Sequence, residues 1–250
     1  MIELYHYLKS DLYKLHNSSF FWAHILFPAF GAALVLLYAT LAAVSDISKI
    51  AVFFQLFAIA YPFAVSIVCE ITAGQEIQAG HCQNILVLHS RTKAILSKFL
   101  LLITAGLLAT VFGLLLFTLL LPATGTKLSF STSFLLFPAL ILWSSNILLY
   151  ALYIILAFRF GKTICIGMGA VGSLLVALLQ TGLGTGLWFV LPFGFGIRLS
   201  DFALQSVLGI MPVVSKELKF GILMCAGMTV LFVAILFAWF SHYEGKYTNE

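Results

Sequence analysis

The chain has 250 residues, 62% of them hydrophobic and 9% charged, with a mean hydropathy of +1.10 and a formal net charge of +4. That balance excludes an ordinary soluble domain and puts the chain in the membrane class. It also speaks against nucleic-acid binding: there is no basic run and no platform of aromatics interleaved with basic residues, so the surplus positive charge suits lipid headgroups.

Residues 1–17 come first. Charges at Glu3, Lys9, Asp11 and Lys14 interrupt any apolar core of a cleavable signal peptide. Tyr5, Leu8, Leu12 and Leu15 recur at steps of three and four, which predicts an amphipathic interfacial helix with one apolar stripe along the inner leaflet. Six apolar runs follow, at 20–44, 50–69, 99–121, 134–158, 163–190 and 220–240. Each reaches the length of about 20 residues that carries a helix across a bilayer. Barrel strands would alternate in polarity, and the stretch LLLITAGLLATVFGLLLFTLLL at 100–121 does not. The expectation is an all-α integral membrane protein with six transmembrane helices in a single domain, 1–250.

Basic residues set the orientation, because Lys and Arg collect on the cytoplasmic side. With both termini inside, Lys9, Lys14, Arg91, Lys93, Lys98, Arg159, Lys162 and Lys246 are cytoplasmic; Lys49, Lys127, Arg198, Lys216 and Lys219 are not. Eight against five favours a multi-pass, N-in and C-in topology in a plasma membrane. Cys69, Cys82, Cys165 and Cys225 are scattered over different spans and the segment at 70–98, which predicts reduced thiols and no disulfide framework.

Several motifs are excluded on their spacing. Gly161-Lys162-Thr163 lacks the earlier glycine of a phosphate-binding loop, since position 156 is Leu, so no ATP site is expected on this chain. Gly167 to Gly172 spells GxGxxG inside an apolar span, with no preceding strand and no acid about 20 residues on. Those glycines, with Gly182 and Gly186 in GxxxG spacing, are expected to let helix backbones approach closely. His81, Cys82 and His89, even with Cys69, have no recognised metal spacing, so no metal site is expected. No HExxH pattern and no serine–histidine pairing on the spans marks a protease. From Ile77 to Ser200 there is no Asp or Glu, which argues against proton- or sodium-driven transport. Glu70, at the cytoplasmic end of the second span, is the candidate gate or contact residue.

The segment at 70–98 is a polar island between two apolar runs, dense in amides and acids around Gln75, Glu76, Gln78, Gln83 and Asn84. A polar helix followed by a turn at the mouth of two spans has the shape of a docking element. The pattern Glu76-x-x-x-Gly80-x-x-Gln83-Asn84-Ile85-Leu86, then Ser90-Arg91, then Leu96-Ser97-Lys98, resembles the ABC-2 type permeases. The frame Glu-x-x-Ala-Gly-x-x-Gln-Asn is similar to the permease subunits of lantibiotic-immunity ABC transporters, as are the length and the six-span layout.

The resemblance implies a subunit that binds no cofactor itself and pairs with a second, related permease. It also implies two copies of a nucleotide-binding ATPase that carry ATP and Mg. The segment 70–98 would be the cytoplasmic coupling segment, with Glu76, Gly80, Gln83 and Asn84 docking onto the ATPase and Arg91 anchoring the returning chain. It further implies an external re-entrant region at 191–219, where Pro192, Gly194, Gly196, Arg198, Asp201 and Pro212 alternate with apolar residues. The function implied is export of a lantibiotic or similar antimicrobial peptide from the producer's own membrane, giving immunity, without enzymatic activity in this chain. The alternatives are an ABC-2 permease for another amphiphile, such as a peptide antibiotic or a lipid, and a non-transporting membrane protein that sequesters or senses the toxin.

Overall fold

A computed structural model of the chain describes residues 2–16, 18–42, 44–80, 82–83, 87, 90–126, 132–210 and 216–245. Among them the secondary structure is helical, without a strand. The helices are α1 (Ile2–His16), α2 (Phe20–Leu41), α3 (Asp46–Gln78), α4 (Arg91–Leu120), α5 (Leu136–Ser145), α6 (Ile147–Phe160), α7 (Lys162–Gln180), α8 (Gly194–Val207) and α9 (Lys216–Ser241). Short 3-10 turns occupy Leu121–Thr124, Thr132–Leu135 and Gly182–Gly184. Among the described residues six segments are long and apolar enough to cross a membrane: α2, α3, α4 with the turn after it, α5 with α6, α7 and α9, at mean hydropathies of 1.9 to 2.6. Helices are the form in which such runs satisfy their own backbone polar groups in hydrocarbon.

The predicted spans are found, several of them with other limits or form, the third for instance beginning at Arg91 rather than 99. The second is longer than 50–69, because the first nine residues of the polar island continue α3 to Gln78. The fourth is jointed at Asn146, whose buried side chain donates to the Leu142 carbonyl at 2.7 Å between α5 and α6. The fifth stops at Gln180 rather than 190, because Thr181 is extended and Arg198 caps the helix, donating to the carbonyls of Leu179 and Thr181 at 2.9 Å each. Gly182 and Gly186 therefore lie in turns with open space around them and do not mediate helix contact. In the region 191–219, α8 packs against α5, α3 and α7, and α9 begins at Lys216.

The central helix is α3, which touches α2, α6, α7 and α8. Its closest neighbour is α7, and Gly169 of the excluded GxGxxG string allows the approach, while Gly172 makes room for the Phe193 ring ahead of α8. A Cβ on Gly169 would lie 2.0 Å from the Ser66 hydroxyl of α3, and one on Gly172 would lie 2.7 Å from the Phe193 ring. Stacked rings of Phe53 and Phe117, 4.3 Å apart, join α3 to α4. The outward faces of α2 and α9 carry exposed Leu26, Phe30, Leu37, Leu223, Val230 and Leu231, as lipid contact requires.

In α1 the expected stripe is rotated. Leu8 and Leu15 face the bundle, Leu15 being 2% exposed, but Tyr5 and Leu12 point outward at 63% and 51%. Asp11 takes the central place on the inner face. The reason is electrostatic: α4 presents basic residues to α1, and both acids of α1 turn toward them. The start of α1, the α3–α4 connection, the end of α6 and the segment after α9 all gather at one end of the bundle, joined by contacts of Lys93 with Glu3 and of Tyr243 with Arg91 and Phe158.

Candidate functional site

The site is built on the end of α3, the start of α4 and the inner face of α1. Helix α3 terminates at Gly80, whose φ of +123° is a backbone conformation that favours glycine, and Ala79 closes the last turn by donating to Gln75 O. The chain then turns inward at Cys82, fully buried at φ +68°, and further on Val87 N donates to Gln83 O at 3.0 Å. Gln83 and Val87 face outward, Val87 being 85% exposed. Ser90 starts α4 as its N-cap, accepting from Lys93 N at 3.3 Å.

Behind this connection lies a buried ion cluster. Lys98 of α4, 5% exposed, donates to Asp11 of α1 at 2.6 Å and to Glu76 of α3 at 2.7 Å. Ser97 donates to the other Asp11 oxygen at 2.6 Å, and Lys14 reaches the same Glu76 oxygen at 2.9 Å. Two acids and two lysines balance, which is what makes such burial tolerable. Gln75 donates to the Lys14 carbonyl at 3.3 Å, and Lys93 pairs with Glu3 further out. Three helices that share no local sequence are thereby fixed to one another at the root of the connection.

The C-terminal segment closes the opposite side. Arg91 donates to the Tyr243 carbonyl at 2.9 Å, while the Tyr243 hydroxyl lies 3.9 Å from Cys82 Sγ and donates to Phe158 O at 3.4 Å. Burial pushes the Tyr243 phenol above its ordinary value, the neighbouring Cys82 adds to this, and Arg159 opposes it. Tyr243 therefore stays neutral and works as a hydrogen-bonding group.

The sequence-predicted residues divide accordingly. Glu76 is corrected as a docking residue: at 2% exposure its carboxylate is turned into the ion cluster and presents no surface. Gly80 shapes the turn, Gln83 is exposed, and Arg91 anchors the C-terminal segment. Asn84, like His81 and His89, lies outside the described residues. Glu70 stands apart, half-buried on α3, with its carboxylate lying over Gly74.

No family model matches this chain, and no curated protein matches it. Its own geometry therefore carries the functional argument. The residues that sequence reasoning missed are Asp11, Lys14 and Lys98. Their signal was present: Lys98 is flanked by apolar residues in ILSKFLL, and Asp11 interrupts the apolar stripe of α1. A charge in such a place demands a buried partner. The four cysteines are buried on separate elements and none is in a disulfide. The arrangement joins α1, α3 and α4 through short charged contacts beside the exposed Gln83 and Val87.

Proposed function

We propose that the chain is the membrane-spanning subunit of an ATP-driven exporter of ABC-2 type, working with a separate nucleotide-binding ATPase in two copies and a second, related permease. The observation that carries this reading is in the α3–α4 connection: Gln83 and Val87 are exposed, and a buried ion cluster lies at its root. A coupling element needs both properties, an accessible tip for the ATPase and a stiff base that moves the spans. In this reading ATP and Mg act on the partner, and this chain moves no bonds. Its termini and the connection lie at the cytoplasmic side of a bacterial plasma membrane, and α8 with its flanking turns forms the external cap and re-entrant region.

The substrate is an amphipathic antimicrobial peptide of the lantibiotic kind, taken from the bilayer of the cell that makes it. Support for this is the apolar character of the spans, which between Ile77 and Ser200 hold no carboxylate for a coupling cation. The docking surface is revised from the sequence expectation: Gln83 and Val87 contact the ATPase, whereas Glu76 and Lys98 transmit. The test is purification of the tagged chain from its native membrane in mild detergent, with mass spectrometry of what accompanies it. An ATPase and a second six-span protein are expected with the native chain. The ATPase should be lost from Gln83→Ala combined with Val87→Asp, with thermal stability unchanged. Recovery of the native chain alone would overturn the transporter reading and favour a sequestering or sensing protein.

A further inference from the structure

Helix α1 has a second face, turned away from the bundle. Steps of three and four from His6 to Lys9, Tyr13 and His16 put these side chains in one row along the helix. At about 1.5 Å per residue the row is about 15 Å long. All four are exposed, Tyr13 at 78%. With Ser10 and Leu12 they line an open groove of about 520 Å³. No carboxylate stands in the row: Glu3 pairs with Lys93, and Asp11 is buried against Lys98 and Ser97. Packing on α4 therefore sorts the charges of α1. Its acids are drawn toward the lysines of α4, Lys14 is engaged by Glu76, and Lys9 is left facing outward between two imidazoles.

We propose that this row is a docking surface for the headgroups of anionic phospholipids, whose phosphodiesters accept hydrogen bonds from Lys9, the imidazoles of His6 and His16 and the Tyr13 hydroxyl. The inference needs only that α2 crosses the membrane and is independent of the exporter reading. Three observations select a membrane surface over a soluble partner. The first is where the row ends. The His16 ring meets the Phe21 ring, centroids 6.3 Å apart, and Phe21 and Trp22 are exposed at the start of the first apolar span. Aromatic residues in that place mark the boundary between hydrocarbon and headgroups. The second is the lean of α1. From the Glu3–Lys93 contact to the Asp11–Lys98 contact, α1 advances by about 12 Å and α4 by about 7.5 Å. With α4 standing across the bilayer, Lys9 then lies only about 7 Å farther out than His16, at the depth of the headgroup layer, which is about 5–7 Å per leaflet. The third is composition: exposed Tyr5, Leu12 and Tyr13 stand among the cations, the mixture of apolar bodies and basic groups by which a surface-lying helix holds an anionic bilayer.

The experiment uses the full chain in phosphatidylcholine nanodiscs that contain one of two lipids with a diazirine on the headgroup, an anionic phosphatidylglycerol or a zwitterionic phosphatidylcholine. After irradiation, adducts on 5–16 are mapped by mass spectrometry and normalised to those at Phe21 and Trp22. The anionic probe should label 5–16 about five-fold more than the zwitterionic one, the enrichment that one lysine gives near a membrane surface. Added salt should shrink the ratio. Lys9 is exposed, so its variants should fold as the native chain does. Lys9→Gln should bring the ratio near one, Lys9→Glu should bring it below one, and Lys9→Arg should keep it. Equal labelling by the two probes in the native chain overturns the proposal and leaves α1 an apolar anchor without headgroup preference. A preference that survives Lys9→Glu overturns it as well. Labelling at Phe21 and Trp22 with none on 5–16 also overturns it, and assigns the face to a soluble acidic partner or to water.

Discussion

Removing the Lys98 ammonium should be the most damaging single change at the bundle's polar end. Its Nζ lies 2.6 Å from Asp11 and 2.7 Å from Glu76, and all three side chains are buried. At an effective dielectric of about 20, each contact is worth about 6 kcal/mol in gross Coulomb energy. Desolvation of the ions offsets most of this, so the native cluster adds little net stability, but Lys98→Met leaves two buried carboxylates with only Lys14 between them. The expected loss is about 3–5 kcal/mol, the usual cost of stranding a buried charge. Lys14→Met removes a lysine whose side chain is 40% exposed, and should cost about 1 kcal/mol or less. For a chain of this size, 1 kcal/mol moves Tm by about 2–4 °C. Thermal unfolding in detergent, followed by tryptophan fluorescence, should then drop by roughly 6–20 °C for Lys98→Met and by no more than about 4 °C for Lys14→Met. Adding Asp11→Asn and Glu76→Gln to Lys98→Met removes the stranded charges and should recover most of the loss. Equal Tm values for the two single variants, or no recovery in the triple, would show that Lys98 does not hold two buried carboxylates in balance.

Three further outcomes follow from particular contacts. Gly106→Ala places a Cβ 1.9 Å from the Tyr150 hydroxyl and should cost about 1–3 kcal/mol through overpacking. Tyr150→Phe in the same chain should restore part of it, as a double-mutant cycle in denaturation would record. Burial holds the Asp201 carboxyl above its ordinary value of 3.8, against the hydrogen bond from Gln205 and the charge of Arg198. The folded state therefore keeps this proton over a window in which the unfolded chain has lost it, and stability falls as pH rises through that window. The Tm advantage of Asp201→Asn over the native chain should accordingly grow as pH rises from about 4, the ordinary carboxylate range. Arg91→Ala frees the Tyr243 carbonyl, and limited proteolysis should cut after α9 faster than in the native chain.

Composition and run length were enough for the six spans, because hydrocarbon imposes one demand on every residue of a span and a linear sequence states whether it is met. The same is true of helix α1, whose period of three and four is a local property. Limits were less legible: α3 runs past Cys69 to Gln78 and α7 halts at Gln180. The first depends on partners for Glu76, and the second on Arg198, which is 18 residues further along and reaches back to cap the helix. Gly169 and Gly182 are both glycines in a suspected packing string, yet Gly169 meets Ser66 and Gly182 faces open space.

Composition and run length alone give a helical chain with six segments long and apolar enough to cross a membrane, and a polar connection between the second and third. Which polar residues are offered and which are consumed depends on how the helices pack. Glu76 and Gln83 belong to one polar island, but Glu76 is drawn inward because Lys98 and Lys14 lie within 2.9 Å, while Gln83 finds itself on the outward side of the turn beyond Gly80. The four charges of the cluster sit at positions 11, 14, 76 and 98. Charges so far apart in sequence cannot be read as one unit from the chain; it is the packing of three helices in low dielectric that makes each require the others.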